Sequence, residues 1–111
     1  MALEIFEEIR TPWTILHLNG KLDAVTSIQL DEALFKCVHD GKSHIAIDCA
    51  QLQYISSSGI RVFLSYHKKL LEKQRQFVLV GLAGHLLEII KLAGFDRVFV
   101  MTASVNQLSS S

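Results

Sequence analysis

Residues 47–61, IDCAQLQYISSSGIR, lead from an apolar run into three consecutive serines and then into a second apolar pattern. The preceding run, HIAID at 44–48, has the composition of a short buried strand. The following run, IRVFLSYHKKLLEKQ at 60–74, repeats apolar residues at helical spacing. This stretch therefore predicts a strand, a turn that contains the serines, and an amphipathic helix in succession.

Strand and helix patterns alternate along the rest of the chain. Two runs of alternating apolar and polar residues flank Thr11-Pro12 and predict an opening β-hairpin. Beyond Asn19-Gly20, helical and strand patterns alternate, which favours parallel strands covered by helices. The sequence therefore predicts an α/β fold with one mixed, mostly parallel sheet in the order β-β-α-β-α-β-α-β. The predicted strands are 3–9, 13–18, 44–48, 77–82 and 98–101, and the predicted helices are 26–41, 60–74 and 86–94.

The first predicted helix, 26–41, begins with a capping pattern. Thr26 is followed three residues later by Gln29, which matches a capping box. Gly41 is typical of the residue that follows a helix. We therefore expect Thr26 and Gln29 to satisfy the first backbone N–H groups of this helix.

Length and composition limit the classes of protein that the chain can belong to. Its 111 residues favour a single domain, and half of them are hydrophobic, as in compact domains. The formal net charge is zero, so no basic field attracts nucleic acid or anionic lipid. No apolar run approaches the roughly 20 residues that span a bilayer, and the N-terminus lacks a signal-peptide pattern. The sequence predicts a cytoplasmic protein.

The side chains that carry catalytic or metal chemistry do not form a recognisable constellation. Cys37 and Cys49 form no CxxC motif, which favours free thiols over a disulfide. None of the five histidines lies at metal-ligand spacing, and His67 falls on the apolar stripe of its helix. The GxSxG pattern of a nucleophile elbow is absent. The sequence predicts no catalytic residue, no metal site and no cofactor.

The serine cluster has two compatible interpretations. The first N–H groups of a helix lack internal partners, and a serine hydroxyl at the N-cap satisfies one of them for about 1 kcal/mol. The same position suits phosphorylation, because a phosphate there meets free N–H donors and a favourable helix dipole. A phosphate also adds about −1.5 to −2 charges at pH 7, which can repel a bound partner.

Much of the chain resembles a known family. The segments LNGKLDAVTSIQLDEAL at 18–34 and IAIDCAQLQYISSSGIRVFLSYHKKL at 45–70 resemble the STAS domain of bacterial anti-sigma factor antagonists. The segment FVLVGLAGHLLEIIKLAGFDRVFVM at 77–101 is similar to the family's fourth strand, third helix and final strand. The resemblance covers roughly residues 3–103 of a single domain spanning 1–111, and we expect a flexible tail at 104–111.

This resemblance implies a partner switch without catalysis by this chain. The unphosphorylated antagonist binds an anti-sigma factor that is also a serine kinase of the GHKL type, and the sigma factor is released. Phosphorylation at the start of the second helix lowers the affinity, and a PP2C-type phosphatase removes the phosphate. The family motif has Asp before the acceptor, where this chain has Ser56. The acceptor is then Ser57, with Ser56 as the second choice.

The resemblance also implies a partner-binding surface around the serines. Ser58 is the least probable acceptor, because a buried capping role suits it. Asp23, in the LxGxLD turn, either helps to position the nucleotide end of the kinase or receives a basic group of the partner, or it is a turn or capping carboxylate. The expected partner-binding residues are Asp23, Ser56, Ser58, Gly59, Arg61 and Ser65, with Lys68 on the same exposed helix face.

Other functions fit the same sequence. A stand-alone STAS protein also resembles the subunit of lipid-transport ABC complexes that binds the ATPase, and phosphorylation would then play no part. A small serine hydrolase would need a base beside a serine, which the sequence does not provide. The exposed first strand and the apolar C-terminal segment could both self-associate, so a homodimer is a further hypothesis.

Overall fold

The computed structural model describes residues 3–109 and contains five strands and three α-helices in the predicted order. Single-turn 3-10 helices cover Phe95–Arg97 and Val105–Gln107. The α/β fold and the order of its elements are therefore confirmed. The elements are β1 (Glu4–Arg10), β2 (Trp13–Leu22), α1 (Thr26–Asp40), β3 (His44–Ile55), α2 (Ser57–Glu72), β4 (Phe77–Val80), α3 (Gly84–Leu92) and β5 (Val100–Thr102).

The five strands form one sheet in their sequence order, β1-β2-β3-β4-β5. The opening hairpin pairs β1 with β2 antiparallel, and each later strand pairs parallel with its predecessor. Each parallel connection contains one helix, and right-handed crossovers that always step in the same direction place all three helices on one face. This is the mixed, mostly parallel sheet that the sequence predicts.

The second and third strands are longer than predicted. β2 continues through Asn19 and Gly20 to Leu22, and β3 continues beyond Asp48 to Ile55. The extended halves pair with each other, with register shifts on both sides of the Asn19-Gly20 segment. Gly20 has φ 124°, which lets the strand absorb the irregularity. The prediction that Asn19-Gly20 ends the strand is wrong.

Two other boundaries differ because glycines turn the chain. β4 ends at Val80 because Gly81 has φ 76° and turns the chain, although its N–H still donates to Thr102 O at 2.9 Å. The predicted strand to 82 is therefore too long. The predicted final strand starts too early, since a 3-10 helix follows the left-handed Gly94 and β5 starts only at Val100.

The main core lies between the sheet and the helices. Alternate residues of β2, β3 and β4 point toward the helices, as the period of a strand requires. The helices contribute one buried stripe each, which includes Leu34 of α1 and Phe63 of α2. Cys49 is also buried there, and Cys37 packs against the cluster from α1. The buried centre of this core comprises Leu16, Leu18, Leu22, Leu30, Leu34, Ile45, Ile47, Phe63, Leu70, Leu79 and Ile90.

The opposite face of the sheet has a second apolar cluster, made by Trp13, Ile15, Ala46, Val78 and Val80. Val105 and Leu108 pack onto this cluster from the C-terminal segment, and Trp13 Nε1 donates a hydrogen bond to the carbonyl of Ser109. A flexible tail at 104–111 stays a prediction, but these contacts favour an ordered segment as far as residue 109.

A charged bridge crosses three strands on the same face. His17 lies between two carboxylates, with Nδ1 2.7 Å from Asp48 Oδ2 and Nε2 2.7 Å from Glu8 Oε1. Partial burial by itself lowers the pKa of His17, but the hydrogen bonds to Glu8 and Asp48 outweigh it, so the pKa is raised. The hydrogen bonds from His17 and Arg10 lower the pKa of Glu8.

Arg75 joins the C-terminal end of α1 to the sheet. Its Nε donates to Ser43 O at 2.8 Å, and its terminal nitrogens donate to Val38 O at 3.0 Å and Cys37 O at 3.3 Å. These carbonyls belong to the last turns of α1 and the loop beyond it, where helix carbonyls lack internal partners. The guanidinium therefore fixes the end of α1 against the chain between α2 and β4.

Candidate functional site

The three serines of residues 56–58 have different structural roles. Ser56 is the N-cap of α2 and has extended backbone angles, φ −93° and ψ 168°. Its Oγ accepts a hydrogen bond from the N–H of Gly59 at 3.2 Å, and its own N–H donates to Leu22 O at 2.8 Å. Ser56 is half-buried, and its hydroxyl oxygen is occupied by the cap.

Ser57 is the first residue of α2 and is exposed, whereas Ser58 is half-buried. The prediction of a buried capping role for Ser58 is wrong, because Ser56 is the residue that leaves the extended conformation and caps the helix. Ser57 thus has the most accessible hydroxyl of the three. Its assignment as the acceptor remains a prediction.

Gly59 holds the serine turn close to the end of β2. A Cβ built on Gly59 would lie 2.6 Å from Leu22 Cδ2 and 3.4 Å from Ile55 Cγ1. Gly59 is itself buried, and so are both of these neighbours. It therefore positions the turn from beneath, although the sequence predicts it among the partner-binding residues.

Asp23 begins α1 in place of the predicted capping box. Its Oδ1 accepts from Val25 N at 3.0 Å and from Thr26 N at 2.9 Å. The backbone hydrogen bond from Thr26 is the main cause of the lowered pKa of Asp23. Thr26 Oγ1 itself donates to Lys21 O, and Gln29 Nε2 donates to Leu3 O. The Thr26–Gln29 capping box is wrong because both side chains bind other carbonyls.

The loop of Asp23 lies beside the serine turn, since the neighbouring Leu22 carbonyl binds Ser56 N–H. Of the roles considered for Asp23, the geometry agrees with the turn or capping carboxylate, because one of its oxygens accepts from the N–H groups of Val25 and Thr26. Its negative charge nonetheless lies at the edge of the exposed surface around Ser57, where it contributes to the local field.

The exposed side of α2 continues the surface beyond the serines. Ser57, Arg61, Ser65 and Lys68 recur at spacings of four, four and three, so they share one face of the helix. Arg61 and Lys68 are exposed, and Ser65 is half-buried. This face is therefore mostly accessible and carries two cations.

Two residues near this surface escaped the sequence analysis. Val25 is 76% exposed and Ile28 is 64% exposed, and both lie at the start of α1 next to the Asp23 loop. The sequence did contain a sign of them, because they lie off the buried stripe of α1. A pair of exposed apolar side chains at the edge of a polar site is typical of a protein-binding surface.

Catalytic groups are not assembled around the serines. Within residues 3–109, the hydroxyls of the three serines make one hydrogen bond, from the N–H of Gly59 to Ser56 Oγ, and none with a histidine. Groups of three or more His, Cys, Asp or Glu that could hold a metal ion do not occur in the described part of the chain. In that same part, no helix is both long enough and apolar enough to cross a membrane.

The mixed five-stranded sheet, with its helices on one face and an exposed serine at the start of α2, defines a small α/β domain. The STAS domain family model matches residues 2–108, and the chain belongs to this family. It is 32% identical to the anti-sigma-B factor antagonist of Listeria monocytogenes over 100 residues, which are 88% of this chain and 85% of that protein. It is also 23% identical to the anti-sigma-F factor antagonist RsfB of Mycobacterium tuberculosis, over 83% of this chain and 75% of RsfB.

Solved structures show the same fold. An anti-sigma factor antagonist from Mycobacterium paratuberculosis superposes with a TM-score of 0.86 at 22% identity and covers 94% of this chain and 88% of its own. The unphosphorylated form of the anti-sigma factor antagonist SpoIIAA superposes with a TM-score of 0.74 at 16% identity, over 94% of this chain and 92% of its own. The structure of the Bacillus protein SpoIIAA is also known in its phosphorylated form, with a TM-score of 0.74 over 94% of this chain and 95% of its own.

Proposed function

We propose that this protein is a cytoplasmic anti-sigma factor antagonist that is switched off by phosphorylation of Ser57. The unphosphorylated protein binds an anti-sigma factor, which is also a serine kinase of the GHKL type, and the sigma factor is released. A PP2C-type phosphatase restores the binding form. The observation that carries this proposal is the exposure of Ser57 at the first position of α2, on a chain whose relatives are named anti-sigma factor antagonists.

The geometry of the turn favours Ser57 over Ser56 as the acceptor. Phosphorylation of Ser56 would place a bulky dianion on the half-buried oxygen that already accepts from Gly59. A phosphate on Ser57 projects from an exposed position and leaves the Ser56 cap intact. Ser56 thus replaces the aspartate of the family motif as a neutral N-cap, since Ser and Asp are both favourable there.

Phosphorylation would change the surface more than the fold. The N-terminus of α2 presents its unpaired N–H groups and a positive dipole end, and Arg61 lies four residues further along the same face. The fold therefore tolerates a charge of about −1.5 to −2 at Ser57. A partner packed against the same face would have to desolvate that charge, which costs at least about 2–3 kcal/mol without a matching cation.

The partner-binding surface follows from the same arrangement. We infer that the partner contacts Ser57 and its neighbours Ser56 and Ser58, the α2 face with Arg61 and Ser65, and the Asp23 loop with Val25 and Ile28. The apolar pair supplies buried area, and the charged residues set orientation. Gly59 contributes by holding the turn in place.

Phosphosite mapping tests the acceptor directly. The protein is incubated with its cognate GHKL-type kinase and ATP, and residues 54–60 are examined by mass spectrometry. We expect one phosphate on Ser57, none on Ser57→Ala, and wild-type phosphorylation of Ser56→Asp, which keeps a capping oxygen. The proposal would be contradicted if residues 54–60 stayed unmodified while the same kinase phosphorylated another substrate.

A further inference from the structure

Helix α1 has an exposed apolar stripe in addition to the stripe that it buries in the core. Ile28 is 64% exposed and Phe35, seven residues later, is 57% exposed. His39 stacks on the Phe35 ring, with centroids 5.4 Å apart and ring planes within 9°. Residues seven apart lie on the same face of a helix, so Ile28, Phe35 and His39 form one outward stripe.

The charges around Phe35 are ordered along the helix. Asp31 and Glu32 lie on its N-terminal side, and Lys36 lies on its C-terminal side. Throughout residues 3–109, the ion pairs within 4.0 Å involve neither Glu32 nor Lys36, so both charges remain available. The order along α1 is acidic, aromatic, basic, and a second copy of α1 that runs antiparallel presents it in reverse.

The groove beside this stripe adds apolar surface and a further cation. It has a volume of about 530 Å³, and Tyr66 of α2 lies in its wall. Tyr66 donates its hydroxyl hydrogen to Asp31 Oδ1 at 2.5 Å, so Asp31 is engaged within the chain. Lys69 Nζ is held 4.5 Å from the centroid of the Tyr66 ring. Glu32 is therefore the acidic group on this stripe that is open to an outside partner.

We propose that a second copy of this chain docks on this face, with the two α1 helices antiparallel and related by a two-fold axis near residue 34. The two Phe35 rings then meet at the centre of the contact. Glu32 of each copy faces Lys36 of the partner subunit, because these positions are equidistant from the axis. The same patch serves both copies, as a closed two-fold dimer requires.

Self-association explains the charge order better than a foreign helix does. An antiparallel copy supplies the inverse charge order automatically, on the same flank, whereas another protein would have to match it separately. Antiparallel helix dipoles attract, and the zero formal net charge means that two copies do not repel each other over long range. The stripe is confined to one helix, so we expect a weak dimer with a dissociation constant on the order of 10–100 μM.

The centre of the dimer contact is separate from the proposed switch, and Ile28 is the residue that the dimer stripe shares with the inferred partner surface. Phe35 lies ten residues beyond Val25, about 15 Å along the helix axis. The centre of the dimer contact is therefore well separated from the Asp23 loop and the serine turn. A dimer of this form leaves Ser57 and the α2 face accessible.

Sedimentation equilibrium with charge-reversed variants tests the proposal. We expect wild type to show a reversible monomer–dimer equilibrium, and we expect Glu32→Lys or Lys36→Glu alone to raise the dissociation constant at least about tenfold by facing like charges. The double variant E32K/K36E should dimerise like wild type. An equimolar mixture of the two single variants should form a heterodimer, because each copy then supplies the charge that the other needs.

A further variant removes the aromatic ring at the centre of the contact, and two outcomes would overturn the proposal. Phe35→Ala should also raise the dissociation constant at least about tenfold, and thermal unfolding must show that every variant is folded, since all of these side chains are exposed. Wild type that stays monomeric up to about 1 mM, well above the expected range, would overturn the proposal and leave the stripe to another partner. A dimer that is unaffected by both single reversals would also overturn it, because it would use another face.

Discussion

Gly59 is the residue whose replacement probes the serine turn most sharply, and we predict that Gly59→Ala destabilises the fold. The added Cβ would lie 2.6 Å from Leu22 Cδ2 and 2.7 Å from Leu22 Cγ. Ordinary carbon–carbon contacts are about 3.5–4.0 Å, so the overlap is roughly 1 Å. Leu22 is fully buried and Ile55 closes the other side. The turn must therefore move away from β2 or the core must shift.

Two opposing effects set the size of the loss. Overpacking a core by one methyl group costs about 1–3 kcal/mol when the neighbours cannot relax. Replacing Gly by Ala in a helix gains up to about 1 kcal/mol, and less near the helix end. Because Leu22 belongs to the core, we expect overpacking to prevail and the free energy of unfolding to fall by about 1–2 kcal/mol.

Urea unfolding followed by circular dichroism measures this loss, and Leu22→Ala provides the matched control. Leu22→Ala alone destabilises the fold, but it makes room for the new methyl group. In that background Gly59→Ala should cost less than about 0.5 kcal/mol, which gives a coupling of at least about 0.5 kcal/mol between the two sites. The reasoning is refuted if the Gly59→Ala variant is as stable as wild type. It is also refuted if Gly59→Ala lowers the free energy of unfolding equally in the wild-type and Leu22→Ala backgrounds.

Three further predictions concern the rest of the fold. Arg75→Met should lower the free energy of unfolding by about 2 kcal/mol in urea titrations, since it leaves three carbonyls without their charged donor, and a loss below about 0.5 kcal/mol would contradict that role. The stability difference between wild type and His17→Gln should be largest at about pH 5.5. It should shrink as pH rises through the raised pKa of His17 and as pH falls through the lowered pKa of Glu8, whereas a difference that grew from pH 6 to 9 would contradict the charged bridge. Deleting 104–111 should expose Trp13, shift its fluorescence to longer wavelength and cost about 2–3 kcal/mol, and an unchanged spectrum would show that the segment does not cover the sheet.

The order of the elements could be predicted because each change of hydrophobic period is local. The apolar stripe of α2 and the buried run at the start of β3 are visible without tertiary contacts. The second half of β3 was missed because it is exposed at Ala50 and at the polar residues Gln51 and Gln53, where β4 no longer pairs with it. Its strand conformation depends on pairing with β2, which a local pattern does not reveal.

The position of the candidate site could be predicted from the sequence, but the separate roles of its three serines could not. Three adjacent serines look alike, and the one that caps α2 is decided by a contact from Leu22 O to Ser56 N–H, 34 residues apart in the chain. The cap of α1 was assigned to Thr26 because the capping box is a local pattern. Asp23 caps the helix instead, because the chain between β2 and α1 turns its carboxylate toward the first N–H groups.

The exposed apolar residues of α1 lie off its main apolar stripe, which is a sign in the sequence, but their exposure depends on tertiary packing. Leu30 and Leu34 are buried, whereas Ile28 and Phe35 are exposed, and all four are large apolar side chains on one helix. Which stripe faces the sheet is decided by the position of α2 beside α1. An exposed apolar stripe is apparent only when the buried one has been identified.

The central claim, that a phosphate on Ser57 switches off partner binding, is tested most directly by one titration. The cognate anti-sigma factor is titrated calorimetrically with the unmodified protein and with protein phosphorylated stoichiometrically on Ser57, with Ser57→Ala as the unmodifiable control. We predict that the phosphate weakens binding about a hundredfold, equivalent to about 3 kcal/mol, while Ser57→Ala stays within a few fold of wild type. Equal affinity of the phosphorylated and unphosphorylated forms would contradict the account.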